Sequence, residues 1–241
     1  MQSLKSRLLN EAKVGGTIQP ANSEELKAII KERLSLLDKY EVEQILDLED
    51  IDTSRITDMS YLFYDLGRNA LPPWTIIRVS NWDTSHVENM SHLFPKGGSC
   101  SISDLSKWDT GNVKDMSYMF YFTQLADPLT GLSKWDTSNV VNMEGMFREC
   151  TGSKLKNDIS NWDVSRVTNM TMMFYKSKDI KCDLSKWKLN PDCQLDNLMF
   201  QGSRMKEPEW YDPNTKTKLK RGENWFFKDM DKDTKRRLGI I

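Results

Sequence analysis

Residues 108–120 read WDTGNVKDMSYMF, and the pattern returns along the chain. It is WDTSHVENMSHLF from Trp82, WDTSNVVNMEGMF from Trp135 and WDVSRVTNMTMMF from Trp162. An earlier copy, IDTSRITDMSYLF, starts at Ile51 with Ile in the Trp place, and a degraded one, WKLNPDCQLDNLM, starts at Trp187. Successive anchors are 31, 26, 27, 27 and 25 residues apart. Six copies at near-constant spacing define a repeat architecture, in which one unit cannot bury its apolar face alone and stacks on its neighbours.

Each copy has two halves. In the first, LSKWDT or ISNWDV, the Trp and the Thr or Val two places on share a face, which predicts a short strand of period two. In the second, Val167, Met170, Met173 and Phe174 form an apolar stripe that predicts a short helix or 3₁₀ segment. The Asp-Thr-Ser between them supplies acceptors for free amides at a helix start. Stacking then predicts a short parallel sheet on one side and short helical segments on the other. Trp82, Trp108, Trp135, Trp162 and Trp187 form an internal ladder, beside a Met column (Met90, Met116, Met143, Met170) and a Phe column from Phe63 to Phe174.

The W-D-x-S-x-V-x-x-M-x-x-M-F unit, from about Ser23 to Phe200, resembles the short repeat of BspA-like proteins. These are leucine-rich-repeat relatives abundant among mycoplasma lipoproteins. The lead-in TIQPANSEELKAII is similar to the usual opening of such arrays. The resemblance implies an α/β solenoid, a right-handed leucine-rich-repeat-like coil used for binding, often at a cell surface.

Three segments follow. Residues 1–50 are the lead-in and cap helix, 51–200 the six-copy array, and 201–241 a C-terminal cap or basic aromatic tail. Ser23 is the expected N-cap of a helix running to about Asp38, with Leu26, Ile29, Ile30, Leu34 and Leu37 on one face. The first 200 residues carry 23 basic and 28 acidic side chains, and residues 201–241 carry 11 and 7. Trp210, Tyr211, Trp225, Phe226 and Phe227 favour partial docking of that last segment.

The chain has 241 residues and a net charge of −1, which argues against a generally basic nucleic-acid binder. No apolar run reaches the length of a membrane span, so no membrane insertion is expected. The start shows neither signal-peptide character nor a lipid-attachment cysteine, so the expected location is cytoplasmic or within an assembly unless a leader was removed. Cys100, Cys150, Cys182 and Cys193 match no zinc spacing and read as buried free thiols. His86 and His92 fall at places that hold Arg55 and Asn112, or Tyr61 and Tyr118, in other copies, and read as surface residues. No nucleophile–base set, metal set or cofactor motif can be assembled, so no enzyme and no cofactor is expected.

Function is therefore sought on a surface. Asp52, Asp83, Asp109, Asp136 and Asp163 recur one place after the anchor, where bonding corner amides is favoured over a ligand role. Just before the anchor stand Asn81, Lys107, Lys134, Asn161 and Lys186. In a strand these rows share the outward face, so the expected partner face centres on Lys107, Asp109, Lys134, Asp136, Asn161 and Asp163. The rival is the insertion between Phe63 and Val79, where Trp74 either projects toward a partner or packs over the first coil. The reading is a non-enzymatic interaction solenoid for a protein or glycan partner. The alternative is a structural component of a larger assembly, such as a virion or surface layer, docking through its C-terminal tail.

Overall fold

A computed structural model describes residues 17–38, 40–66, 71–72, 74–97, 99–125, 129–152, 159–196 and 198–211. The segment 212–241 and its Trp225, Phe226 and Phe227 lie outside the described residues, as do residues 1–16.

Helix α1 spans Ser23–Leu34 and buries Leu26, Ile29 and Ile30. Its N-cap is Asn22, one residue before the expected Ser23: the Asn22 side chain accepts from Glu25 N at 2.9 Å. The Glu25 carboxylate reaches back to accept from Ala21 N at 2.8 Å. The Ser23 hydroxyl instead donates across to Asp58 O in the first copy. The helix ends at Leu34, with Ser35 as C-cap, four residues short of the expected Asp38.

Four short strands form one parallel sheet in the order β1 (Ile45–Asp47), β2 (Thr75–Arg78), β3 (Ser99–Ile102) and β4 (Gln124–Leu125). Ile45 pairs with Ile76, Ile76 with Ser101, and Cys100 with Leu125. These strands sit upstream of the Trp-Asp-Thr segments and not on them, which corrects the strand position that the sequence pattern predicts. The reason is local. A Trp108 N–H to Leu105 O bond closes one turn and a Val113 N–H to Thr110 O bond closes the next, leaving only the anchor, Asp and Thr between them. In that short stretch side chains link the copies. Trp108 Nε1 donates to Val79 O at 2.9 Å, and Thr110 Oγ1 to Asp136 O at 2.9 Å. Trp82, Trp135, Trp162 and Trp187 make the same bond to a carbonyl of the preceding copy.

The second half of each copy is a chain of turns where a helix or 3₁₀ segment is expected. Tyr61, His92, Tyr118, Gly145 and Met172, each two places after the column Met, have φ of 53–58°. A residue in that left-handed region cannot continue a right-handed helix. It closes turns such as Met119 N–H to Met116 O and frees alternate amides to point at the next copy. Met116, Tyr118, Phe120 and Phe122 donate in turn to Asn142, Glu144, Met146 and Arg148 carbonyls. A row of parallel bridges, Asp58–Asn89–Asp115–Asn142–Asn169–Gln194, follows the same direction.

The copies share one core. Trp108, Trp135 and Trp162 are at most 5% exposed, and their ring centroids lie 6.3 and 6.0 Å apart in near-parallel stacks. The Met column (Met59, Met90, Met116, Met143, Met170) is fully buried, and Phe63, Phe94, Phe120, Phe147, Phe174 and Phe200 stack beside it. Trp210 extends the ladder by one rung: it stacks on Trp187 at 6.2 Å and donates Nε1 to Leu184 O at 2.8 Å. Residues up to Tyr211 are therefore packed on the array, and all four cysteines are buried outside any disulfide.

Candidate functional site

The turn geometry decides where the expected partner residues stand. Lys107, Asp109, Lys134, Asp136, Asn161 and Asp163 are all exposed. None lies on β1–β4, so the expected sheet-face location is corrected: they line the corners beside the sheet. Lys107 and Asn161 sit in the turns closed by Trp108 and Trp162, and Lys134 ends a 3₁₀ turn, Leu132–Lys134. Lys107 Nζ donates to Asn81 Oδ1 of the preceding copy at 3.0 Å. Among the described residues, no ion pair joins the Lys row to the Asp row.

Each Asp of the column accepts the amide two residues on. Asp109 Oδ1 takes Gly111 N at 3.0 Å, Asp136 takes Ser138 N and Asp163 takes Ser165 N at 2.9 Å. The Ser138 and Ser165 bonds hold the Asp136 and Asp163 carboxyls below their ordinary values. A group depressed in this way lends stability above its unfolded value, and that stability is lost as pH falls through the lower folded value. The column thus serves the corner, and its charge stays facing solvent. Asn89, Asn142 and Asn169 do the same work in the next turn of their copies. Asp136→Asn should therefore change stability by less than about 0.5 kcal/mol, while Asp136→Ala should cost about 1 kcal/mol. Urea titration at pH 7 checks both.

Trp74 is 48% exposed, with φ of 62°, and its amide donates to Ser99 O at 2.9 Å. It stands at the upstream end of β2, and the insertion presents an apolar ring rather than burying it.

A second surface escapes the sequence reading. His86 is exposed as expected, but His92 is not a free surface residue. Its ring stacks between Tyr61 at 4.5 Å and Tyr118 at 4.8 Å, with the edge of Tyr64 against it. Tyr118 OH donates to Glu144 Oε1 at 2.5 Å, and Asn169 Nδ2 to Glu144 Oε2 at 3.0 Å. Burial pushes the Glu144 carboxyl up. Alongside runs a cation–aromatic row. Lys96 lies over Tyr64 and Tyr121, and the buried Arg148 over Tyr121 and Tyr175. Stacked rings and paired charges of this kind hold side chains in place along a face.

Burial lowers the His92 imidazole to about 4, with Asp115 opposing that shift and Lys96 adding to it. The folded state therefore disfavours protonation. The contribution is fully present above the unfolded value of 6.5 and is lost as pH falls toward about 4. Glu144 and Asp196, pushed up by burial, act oppositely, their cost easing as pH falls. His92→Tyr, which installs the residue of the neighbouring copies, should flatten the fall of thermal midpoint between pH 6.5 and 4 relative to the wild type. Equal slopes would contradict the stacked neutral ring.

Among the described residues, no group of three or more His, Cys, Asp or Glu side chains could hold a metal ion. No helix among them is long and apolar enough to cross a membrane.

An array of this kind, with a small parallel sheet and repeated turns, defines a repeat protein. The chain belongs to the family described as Mycoplasma protein of unknown function, DUF285, whose family model matches residues 34–131 and 104–212. No curated protein and no solved structure matches the chain.

Proposed function

We propose that this chain is a non-enzymatic interaction solenoid: a BspA-like, right-handed leucine-rich-repeat-like coil that offers a regular polar surface to a protein or glycan partner. The observation that carries the reading is the row Lys107, Asp109, Lys134, Asp136, Asn161 and Asp163, exposed at equivalent corners of successive copies. The core does not require Lys or Asn at these places, since only the Trp between them is buried. The corners are held by amide–carboxylate and Trp–carbonyl bonds, so a partner that engages them orders little beyond the Lys side chains. Repetition at near-strand spacing suits a ligand that is itself extended.

Affinity capture from the native source, followed by binding measurements on two variants, tests the reading. Lys107→Glu combined with Lys134→Glu should weaken binding at least about tenfold, with the effect shrinking in high salt. If only Trp74→Ala weakens binding while the fold stays intact, the partner face is the insertion and not the corner row. Light scattering of the isolated chain addresses the assembly alternative: ordered self-association would favour a structural component over a receptor-like binder.

A further inference from the structure

We propose that the C-terminal end of the array is a docking site for the aromatic cluster Trp225-Phe226-Phe227 of the same chain. The first observation is an open ladder. Phe174 N donates to Met199 O and Lys176 N to Gln201 O, but among the described residues no carbonyl takes the equivalent amides of Phe200 and Gly202. The second is an apolar floor. Trp210, only partly buried, is the last ring among the described residues. Beside it opens a cavity of about 880 Å³ whose lining includes Trp187, Trp210, Met205 and Cys182 together with charged residues such as Lys181 and Glu209. That volume is in the range of sites that accept a ligand of several rings.

The occupant is argued from where the chain goes next. Tyr211 OH donates to Asp196 O at 2.7 Å, which pins the last described residue at this end. Thirteen residues, 212–224, separate it from Trp225, enough to reach about 43 Å when extended. They are almost entirely polar, so the triplet at 225–227 is the first concentrated apolar surface available to the open end. A tether this short gives an effective concentration on the order of millimolar, which favours the chain's own cluster over a second copy.

Cys182 reports on the cavity, because it lines it and is 6% exposed. The full chain carrying Trp225→Ala, Phe226→Ala and Phe227→Ala is alkylated with a maleimide, and the rate at each cysteine is read by peptide mass. Labelling of Cys182 should accelerate about tenfold or more, while the fully buried Cys150 and nearly buried Cys100 keep their rates. A synthetic peptide of residues 220–230 should slow Cys182 again in the full-length triple variant. An unchanged Cys182 rate overturns the proposal. So does equal acceleration at all cysteines, which would make the cluster a general stability element. Protection that vanishes on dilution of the full chain would assign the site to a second copy and overturn the same-chain occupant.

Discussion

Trp135→Ala should destabilise the array by about 3–5 kcal/mol, the range for truncating a large ring in a packed core. The ring is sandwiched between Trp108 and Trp162 and is 5% exposed. Its removal leaves a gap in the middle of the ladder and leaves the buried Leu105 carbonyl without its Nε1 donor at 3.2 Å. Interior copies have partners on both sides, so the loss is felt by two interfaces. Trp210→Ala, at the partly buried end of the ladder, should cost clearly less. Guanidinium titration of the three proteins gives the comparison. A loss below about 1 kcal/mol for Trp135→Ala would contradict an interior ladder.

Gly131→Ala should be nearly as damaging. Gly131 has φ of 91° and passes so close to the preceding copy that an added Cβ would lie 2.2 Å from Ser106 N and 2.6 Å from the Leu105 carbonyl carbon. Both neighbours are backbone, and moving them would break the turn that seats Trp108 and the Trp135 Nε1 bond. Left-handed strain alone costs about 1–3 kcal/mol, and the backbone collision adds to it. Gly111→Ala is the control. Gly111 stands where other copies have Ser, its φ is not left-handed, and an added Cβ meets only the Asp109 and Asp136 carboxylates at 3.3 and 3.6 Å. Its stability should stay within about 0.5 kcal/mol of the wild type. Equal effects at the two glycines would mean that the close approach at Gly131 is not real.

The interior was legible in the sequence because burial leaves a regular trace. Trp, Met and Phe recur at fixed offsets, and each column is buried in the structure. The hydrogen-bonding scheme was not. Its sheet is made by Ile45–Asp47, Thr75–Arg78, Ser99–Ile102 and Gln124–Leu125, segments that share no motif. The left-handed column that breaks the helical half is filled by Tyr61, His92, Tyr118 and Met172, residues that do not advertise a positive φ. Gly145 alone hinted at it, and there an added Cβ would strike the Tyr118 ring at 2.5 Å. The extra rung at Trp210 was hidden in EPEWYDP, with no Asp-Thr-Ser beside it, although its 23-residue step from Trp187 is close to the repeat. For the partner row, exposure was legible from the alternation around Trp, but the expected sheet face was wrong: the row lies at corners outside the strands. Two turns compress each anchor segment to three residues.

Distance measurement between spin labels on equivalent corners tests the stack itself most directly. Asn81→Cys and Lys186→Cys are four copies apart and both exposed, while the four native cysteines are buried and should resist labelling. The Trp rings beside these corners repeat at 6.0–6.4 Å per copy, so stacked copies place the labels about 25 Å apart, and Asn81→Cys with Asn161→Cys about 19 Å apart. The account predicts a single narrow distribution near about 25 Å for the longer pair and a separation shorter by about one step for the second. A broad distribution, or a separation beyond about 40 Å for residues 105 positions apart, would contradict a continuous stack of copies.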